Sequence, residues 1–197
     1  LPAVAGFLME KELRVLGSVL WSPKRPLVVA LGGAKVSDKI GVMENFLDKV
    51  DTLLVGGGMA ATFLKAKGNS VGNSLVEDDR LELARGVMKR AREKGISLLI
   101  PVDVVVADKF EPKAKSRTVD VEDVPDGWYI MDIGHRTLDM FRAEVARGKT
   151  ILWNGPMGVF EFPAFSRGTR ELAATMGSLN GAITVLGGGS TAEVADS

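Results

Sequence analysis

Two lysines four residues apart, Lys35 and Lys39, stand just beyond the Gly32-Gly33 pair in the stretch LVVALGGAKVSDKI, residues 27–40. A helix beginning near Ala34 puts both ammonium groups on one face, a single turn apart. There like charges repel by a few tenths of a kcal/mol and oppose the positive end of the helix dipole. An anion at the helix N-terminus reverses that penalty, since two cations and exposed backbone N–H groups then point at one phosphate. The plainer alternative is a pair of solvated lysines neutralised by Asp38 and Glu44.

Glycine recurs where such an anion would sit. Four apolar runs end in glycine-rich turns: Gly32-Gly33, Gly56-Gly57-Gly58, Asn154-Gly155-Pro156-Met157-Gly158 and Gly187-Gly188-Gly189. The first run, residues 27–31, is rich in β-branched residues and sits between Pro26 and Gly32, which favours a buried strand. Further strands are predicted at 52–55, 96–101, 103–107, 129–133, 150–153 and 182–186. Helices are predicted from about 34 to 50, from 59 to 65, and over 78–94, 136–148 and 165–176, with another opening at Gly187-Gly188-Gly189. Residues 111–124 form a polar excursion with room for one edge strand. Strand and helix in alternation imply an α/β protein, an open and mainly parallel sheet flanked by helices on both faces in Rossmann-like layers. Its ligand crevice lies at the carboxyl ends of the strands, where glycine lets the backbone approach a phosphate. Taken singly, each glycine is as well explained by tight packing.

Ahead of this sheet, residues 3–20 place apolar side chains at helical intervals, an amphipathic linking helix that breaks at Trp21-Ser22-Pro23-Lys24-Arg25-Pro26. The division is therefore a linker over 1–24 and a ligand-binding domain over 25–197. With 197 residues, 46% of them hydrophobic, the chain can bury one large core. No apolar run reaches the ~20 residues that span a bilayer. Lys and Arg number 25 against 25 Asp and Glu, so no basic field points to nucleic acid. The absence of cysteine excludes disulfide scaffolds and thiolate chemistry and suits a reducing, cytoplasmic setting. A single histidine, His135, weakens any histidine metal site or relay, and it reads as a surface loop residue. With no initial methionine and no leader pattern, an excised piece of a longer protein is expected.

Both Gly56-Gly57-Gly58-Met59-Ala60-Ala61 and residues 187–192 satisfy G-x-G-x-x-A, so an NAD(P)-binding oxidoreductase domain is the rival expectation. A dinucleotide fold wants an acidic strand end about 20 residues on. Here residues 66–77 are a polar, glycine-containing loop instead. A Walker loop and the protein-kinase motif set are both missing from the sequence. A mononucleotide held by scattered turns and two lysines fits better.

The segments AGFLMEKEL (5–13), LGGAKVSDKI (31–40), VGGGMAATFLK (55–65), PVDVVVADKF (101–110), ILWNGPMGVFE (151–161), FSRGT (165–169) and LGGGST (186–191) run in order through nearly the whole chain. In them the sequence resembles the phosphoglycerate kinase family, in its C-terminal, nucleotide-binding half with the connecting helix in front. The resemblance implies reversible transfer of the acyl phosphate of 1,3-bisphosphoglycerate to ADP with Mg2+, giving 3-phosphoglycerate and ATP. It implies that Lys35 faces the transferred phosphoryl group and that Lys39 contacts the nucleotide phosphates. Gly57 and Gly58 would line the adenine side, with Ile130 beside the base. Asn154, Gly155, Val159 and Phe160 resemble the nucleotide-contacting turn, and Glu161 the acceptor from the ribose hydroxyls. Gly188, Gly189 and Thr191 would face phosphate at the last helix.

Three positions depart from the family. Ser190 stands where aspartate commonly helps hold magnesium, so the metal is expected to rest more on phosphate oxygens and water. Ile130 replaces a usual glycine and narrows the adenine wall, and His135 replaces a usual proline. The resemblance also implies that the phosphoglycerate-binding domain lies outside this sequence, as does a final glycine-rich loop. These 197 residues are then expected to bind nucleotide without turnover, within a full-length monomer that has no nucleic-acid or membrane partner. Of the other marked residues, Met9, Met43, Met59 and Met88 read as core filler and Trp153 as packing. Glu77-Asp78-Asp79 reads as a charged helix start, and Trp128 as a partial cover of the site.

Overall fold

The computed structural model describes residues 22–188; the predicted linking helix, Gly189, Ser190 and Thr191 lie outside them. Its centre is a five-stranded parallel sheet in the order β3-β2-β1-β7-β8, built from β1 (Leu27–Leu31), β2 (Thr52–Val55), β3 (Ser97–Leu99), β7 (Thr150–Asn154) and β8 (Ile183–Gly187). Period-two alternation divides the central strand between two cores. Leu27, Val29 and Leu31 of β1 face one, with Leu53 and Val55, while Val28 and Ala30 face the other with Leu54, Ile151 and Trp153.

Helices α1 (Ile40–Phe46), α2 (Met59–Lys67) and α3 (Leu81–Glu93) cover the first face. Helices α4 (His135–Arg147) and α5 (Arg167–Gly177) cover the second. Each helix buries what its spacing allows: Ala84, Val87 and Ala91 in α3, Leu138, Phe141 and Val145 in α4. Helix α2 is buried on almost every side because it is sandwiched. Met59, Ala60 and Phe63 meet the main sheet's core, and Ala61 and Leu64 meet a second, smaller one.

That smaller core belongs to a separate antiparallel sheet, β5-β4-β6, formed by β4 (Asp103–Ala107), β5 (Ser116–Asp120) and β6 (Tyr129–Ile133). The expectation of one sheet is corrected here: 103–107 and 129–133 pair with each other, not with the parallel strands. The polar excursion supplies β5, an exposed edge strand that pairs only with β4. Between β4 and β6 the register jumps from Val105↔Asp132 to Val106↔Ile130, so Met131 bulges out and its carbonyl accepts the Val159 N–H at 2.8 Å. The bulge fastens the turn after β7 to the small sheet.

The first helix does not begin near Ala34. Residues 34–39 are a bend and turn, and α1 starts at Ile40. Two tertiary contacts override the local preference. Val36 is fully buried, and the Glu77 carboxylate accepts both the Ser37 N–H, at 3.0 Å, and the Ser37 hydroxyl. Lys35 and Lys39 therefore do not share a helix face; Lys35 is exposed in the loop and Lys39 is half-buried at its end. His135 is likewise not in a loop but opens α4.

Helix α4 starts on a carboxylate from another element. Asp103, 1% exposed, accepts from the Arg136 N–H at 3.1 Å, the Thr137 N–H at 2.8 Å and the Thr137 hydroxyl at 2.7 Å. Burial pushes this carboxyl up, but the hydrogen bonds from Thr137 and Arg136, aided by His135, outweigh it and hold it below its ordinary 3.8. Its contribution to stability is thus complete above that pH and is lost as acid titrates the folded carboxyl. Asp103→Asn, which turns an amide against two N–H donors, costs about 2 kcal/mol near neutral pH, and thermal melts of variant and wild type converge in strong acid. Two glycines give a second pair of expectations. Gly57 has φ +65 and a Cβ there would lie 2.5 Å from Gly33 N, whereas Gly86 in the middle of α3 has open space. Gly57→Ala should destabilise by about 2–4 kcal/mol and Gly86→Ala should stabilise by about 0.5–1 kcal/mol, read by chemical denaturation.

Candidate functional site

Strand order reverses between β1 and β7: β2 and β3 lie to one side, β7 and β8 to the other. In a parallel sheet the crevice opens at the carboxyl ends of the strands flanking that reversal. Gly32-Gly33 follows β1 and Asn154-Gly155-Pro156 closes β7 at this place. The glycine turns after β1, β2, β7 and β8 all leave the same edge of the sheet, as the parallel pairing requires.

Three of those turns are locked to one another through their backbones. Gly32 N–H donates to Asn154 O at 3.0 Å, Gly33 N–H to Pro156 O at 3.0 Å, Gly57 N–H to Met157 O at 2.9 Å and Met59 N–H to Gly33 O at 3.0 Å. A Cβ on Gly32 would sit 2.1 Å from Pro156 O, and one on Gly155 2.3 Å from Gly32 O. The cradle of bare N–H groups read from the sequence is corrected accordingly. The amides of Gly32, Gly33, Gly56 and Gly57 are all engaged within the protein, because the glycines are there to bring three chain segments into contact.

Positive charge at the crevice comes from side chains. Lys39 Nζ donates to Asn154 Oδ1 at 2.6 Å, reaching from the loop after β1 to the end of β7. Asn154 is in register with Gly187 of β8, and Gly188 follows in the left-handed region at φ +87. Lys39, Asn154 and Gly188 thus gather where β1, β7 and β8 end. Lys35 rides on the same loop, exposed, and Gly155 is buried in the turn below.

Beside this polar end lies a cleft of about 460 Å³, running from the interlocked turns to the small sheet. Gly57, Gly58, Ile130, Val159 and Glu161 line it, residues that the resemblance assigns to a bound nucleotide. Ala60 and Ala61 of α2 and Val104 of β4 form its apolar floor, and Leu75 and Phe110 stand exposed at its mouth. Phe110 meets Tyr129 edge-on and Phe162 at a tilt, with ring centroids 6.2 and 5.5 Å apart. Phe160 is half-buried but not part of the wall. Trp128 does not cover the cleft either; Arg117 stacks on its ring at 4.9 Å, and its carbonyl accepts the Asn73 N–H. Trp153 is fully buried, as expected of a packing residue, and its indole N–H donates to Gly155 O at 2.7 Å.

Four contributors escaped the sequence reading. Leu75 and Phe110 were signalled only as lone large apolar residues in polar surroundings. Glu77, read as a helix start, braces the lysine loop through Ser37 and also donates its N–H to the Thr62 hydroxyl of α2. Burial pushes the Glu77 carboxyl up, and the Ser37 hydrogen bonds prevail and hold it low, so it is a fixed anion. Asp132 lies beneath the turn after β7, almost wholly buried, and burial pushes it up to about 7. For a divalent cation the donor set is poor: among the described residues no three acidic or histidine side chains gather. A metal would be held by ligand oxygens and water.

The site joins an apolar slot, a carboxylate at one wall and a cationic end at a strand-order reversal. The family model described as phosphoglycerate kinase matches residues 1–197. The chain is 57% identical over 191 residues to phosphoglycerate kinase from Chloroflexus aurantiacus, covering 96% of this chain and 48% of that protein. It is 53% identical over 190 residues to the enzyme of the same name from Prochlorococcus marinus, covering 95% and 47%. Phosphoglycerate kinase from Coxiella burnetii superposes with a TM-score of 0.93 at 45% identity, covering 98% of this chain and 49% of that one. The structure from Pyrococcus horikoshii does so at 0.80 and 31% identity. The chain therefore spans about half the length of the relatives it matches, and throughout that span it belongs to the phosphoglycerate kinase family.

Proposed function

We propose that this chain is the ADP/ATP-binding half of a cytoplasmic glycolytic kinase that moves the acyl phosphate of 1,3-bisphosphoglycerate to ADP, giving 3-phosphoglycerate and ATP. The observation that carries the reading is the ammonium of Lys39, held on Asn154 at the strand-order reversal beside a largely apolar cleft of about 460 Å³. The base lies between Ala60, Ala61 and Ile130, whose side chain narrows the slot. Val159 packs at the ribose and Glu161 accepts its hydroxyls. The phosphates run along the interlocked turns toward Lys39, Lys35 and the Gly188-Gly189-Ser190-Thr191 segment.

In the transfer, an oxygen of the ADP β-phosphate attacks the acyl phosphorus, and the bond between that phosphorus and the carboxyl oxygen breaks. The electron pair leaves on the carboxylate of 3-phosphoglycerate. Charge spread over the three equatorial oxygens of the moving phosphoryl group is met by positioned cations. Lys35, exposed on its loop, is free to swing onto that group, while Lys39 stays with the nucleotide phosphates. Magnesium, when bound, would supply neutralisation of the phosphate oxygens, and Ser190 would offer it at most a neutral ligand. The acyl phosphate would come from the part of the relatives' length that this chain does not span, and in-line geometry requires the two to close together. Alone, the 197 residues bind nucleotide without turnover.

Calorimetric titration with ADP and with NAD, each with and without magnesium, tests the reading: ADP binds and NAD does not. Preference for NAD would replace it with an oxidoreductase domain. Lys39→Glu removes a charge-assisted contact of about 1.5–3 kcal/mol and should weaken ADP binding roughly a hundredfold, with unchanged circular dichroism. Unaltered affinity would remove Lys39 from the site.

A further inference from the structure

Asp132 is a carboxylate that phosphoryl transfer does not use, yet it sits under the site. It is 2% exposed and forms part of the cleft wall. Its Oδ2 accepts the Gly168 N–H at the start of α5 at 2.8 Å, and its Oδ1 accepts the Ile133 N–H at 2.9 Å. The turn after β7 lies on it so closely that a Cβ on Gly158 would be 2.3 Å from Oδ1, and one on Gly168 2.5 Å. One carboxyl group therefore supports the start of a helix and the turn that walls the cleft.

Its charged surroundings are few. From α5 it faces Arg167, whose guanidinium is exposed and already held by Glu171 at 2.6 Å. Asp139 of α4 bears on that same arginine. Opposite it on β4 stands Val105, and the turn presents Glu161 on the cleft side. No cation is paired with Asp132 among the described residues, which leaves two amide N–H groups as its compensation. Burial accordingly outweighs both hydrogen bonds and Arg167 and pushes the carboxyl up to about 7.

We propose that Asp132 makes anion binding in the cleft proton-coupled: as a nucleotide enters, this carboxyl takes up a proton. The physical cause is charge. A nucleotide brings net negative charge into the cleft whose wall holds this carboxyl, 2% exposed and without a paired cation among the described residues, and that favours the neutral acid. The proton arrives from solvent and ends on a carboxyl oxygen, and no bond of the ligand changes. With burial pushing the carboxyl up to about 7, uptake should be largest just above pH 7 and should disappear near pH 5, where the carboxyl is neutral in both states. The same linkage makes ADP affinity fall as pH rises through that window. Asp132 is a positioning residue in this scheme, acting through the turn rather than by contact with the reacting atoms.

The inference rests on the nucleotide reading above, and the experiment separates the two. ADP binding to the wild-type protein and to Asp132→Asn is measured by calorimetry at pH 5.5 and 7.5 in buffers of different ionisation enthalpy. Titration of the nucleotide's own phosphate is common to both proteins and cancels. Wild type should take up an additional fraction of a proton at pH 7.5 and none at pH 5.5. Its affinity should fall several-fold more than the variant's between the two. Equal proton counts in the two proteins overturn the proposal. Should the variant fail to fold, carbon-13 titration of the Asp132 carboxyl in wild type decides: ADP should raise its midpoint by half a unit or more, and an unmoved midpoint overturns the coupling. If ADP does not bind at all, the nucleotide reading falls with it; binding with no proton difference removes this inference alone.

Discussion

Backbone contact among three glycine turns is the constraint on which this architecture depends. Gly32, Gly57 and Gly155 each lie where a single methyl group would collide with a neighbouring peptide, and the amides of Gly32 and Gly57 bind carbonyls of the facing turn. The loops after β1, β2 and β7 thereby become one body at the carboxyl edge of the sheet. A loop that is merely covalently attached to a strand end has freedom to lose on binding. These three lose it on folding. The consequence for recognition is that the crevice keeps its shape without ligand, and that the charge it presents must come from side chains.

Two buried aspartates show how one structural device acquires opposite electrostatics. Asp103 and Asp132 both receive the first amides of a helix that belongs to a different part of the chain. Asp103 gains the Thr137 hydroxyl and a second helical amide, enough to keep it ionised against burial. Asp132 has one helical amide and its neighbour's N–H, and burial wins. The Thr137 hydroxyl, the second helical amide and the neighbouring His135 separate a carboxyl held low from one pushed up. The first of these lies at the far start of α4, and the second lies against the cleft.

What the sequence made legible followed from local rules. β1 is a run of five buried residues between proline and glycine, and its identity and the turn after it were readable directly. The parallel pairing and the convergence of turns at one sheet edge follow from the alternation of strand and helix. What failed was set by partners far along the chain. Helix α1 begins six residues late because Val36 is buried and Glu77, forty residues away, holds Ser37. The small antiparallel sheet was unreadable because β5 is polar and exposed, and because β4 and β6 look like any buried strands. Asp132 carried no signal, its environment being made by Gly158 and Gly168. Gly189, Ser190 and Thr191 remain expectations from resemblance.

Glu77 ends the segment that also carries Leu75 to the cleft mouth, while the Ser74 hydroxyl accepts the Ile130 N–H and the Asn73 N–H donates to Trp128 O. Residues 73–77 are thus a strap buckled to the small sheet at one end and to the lysine loop at the other. The wall that would meet a base and the loop that would meet phosphate are parts of one lever. A ligand that fills only one end of the site leaves the other end's leverage unused, so the two halves of a nucleotide should be felt together rather than as a sum.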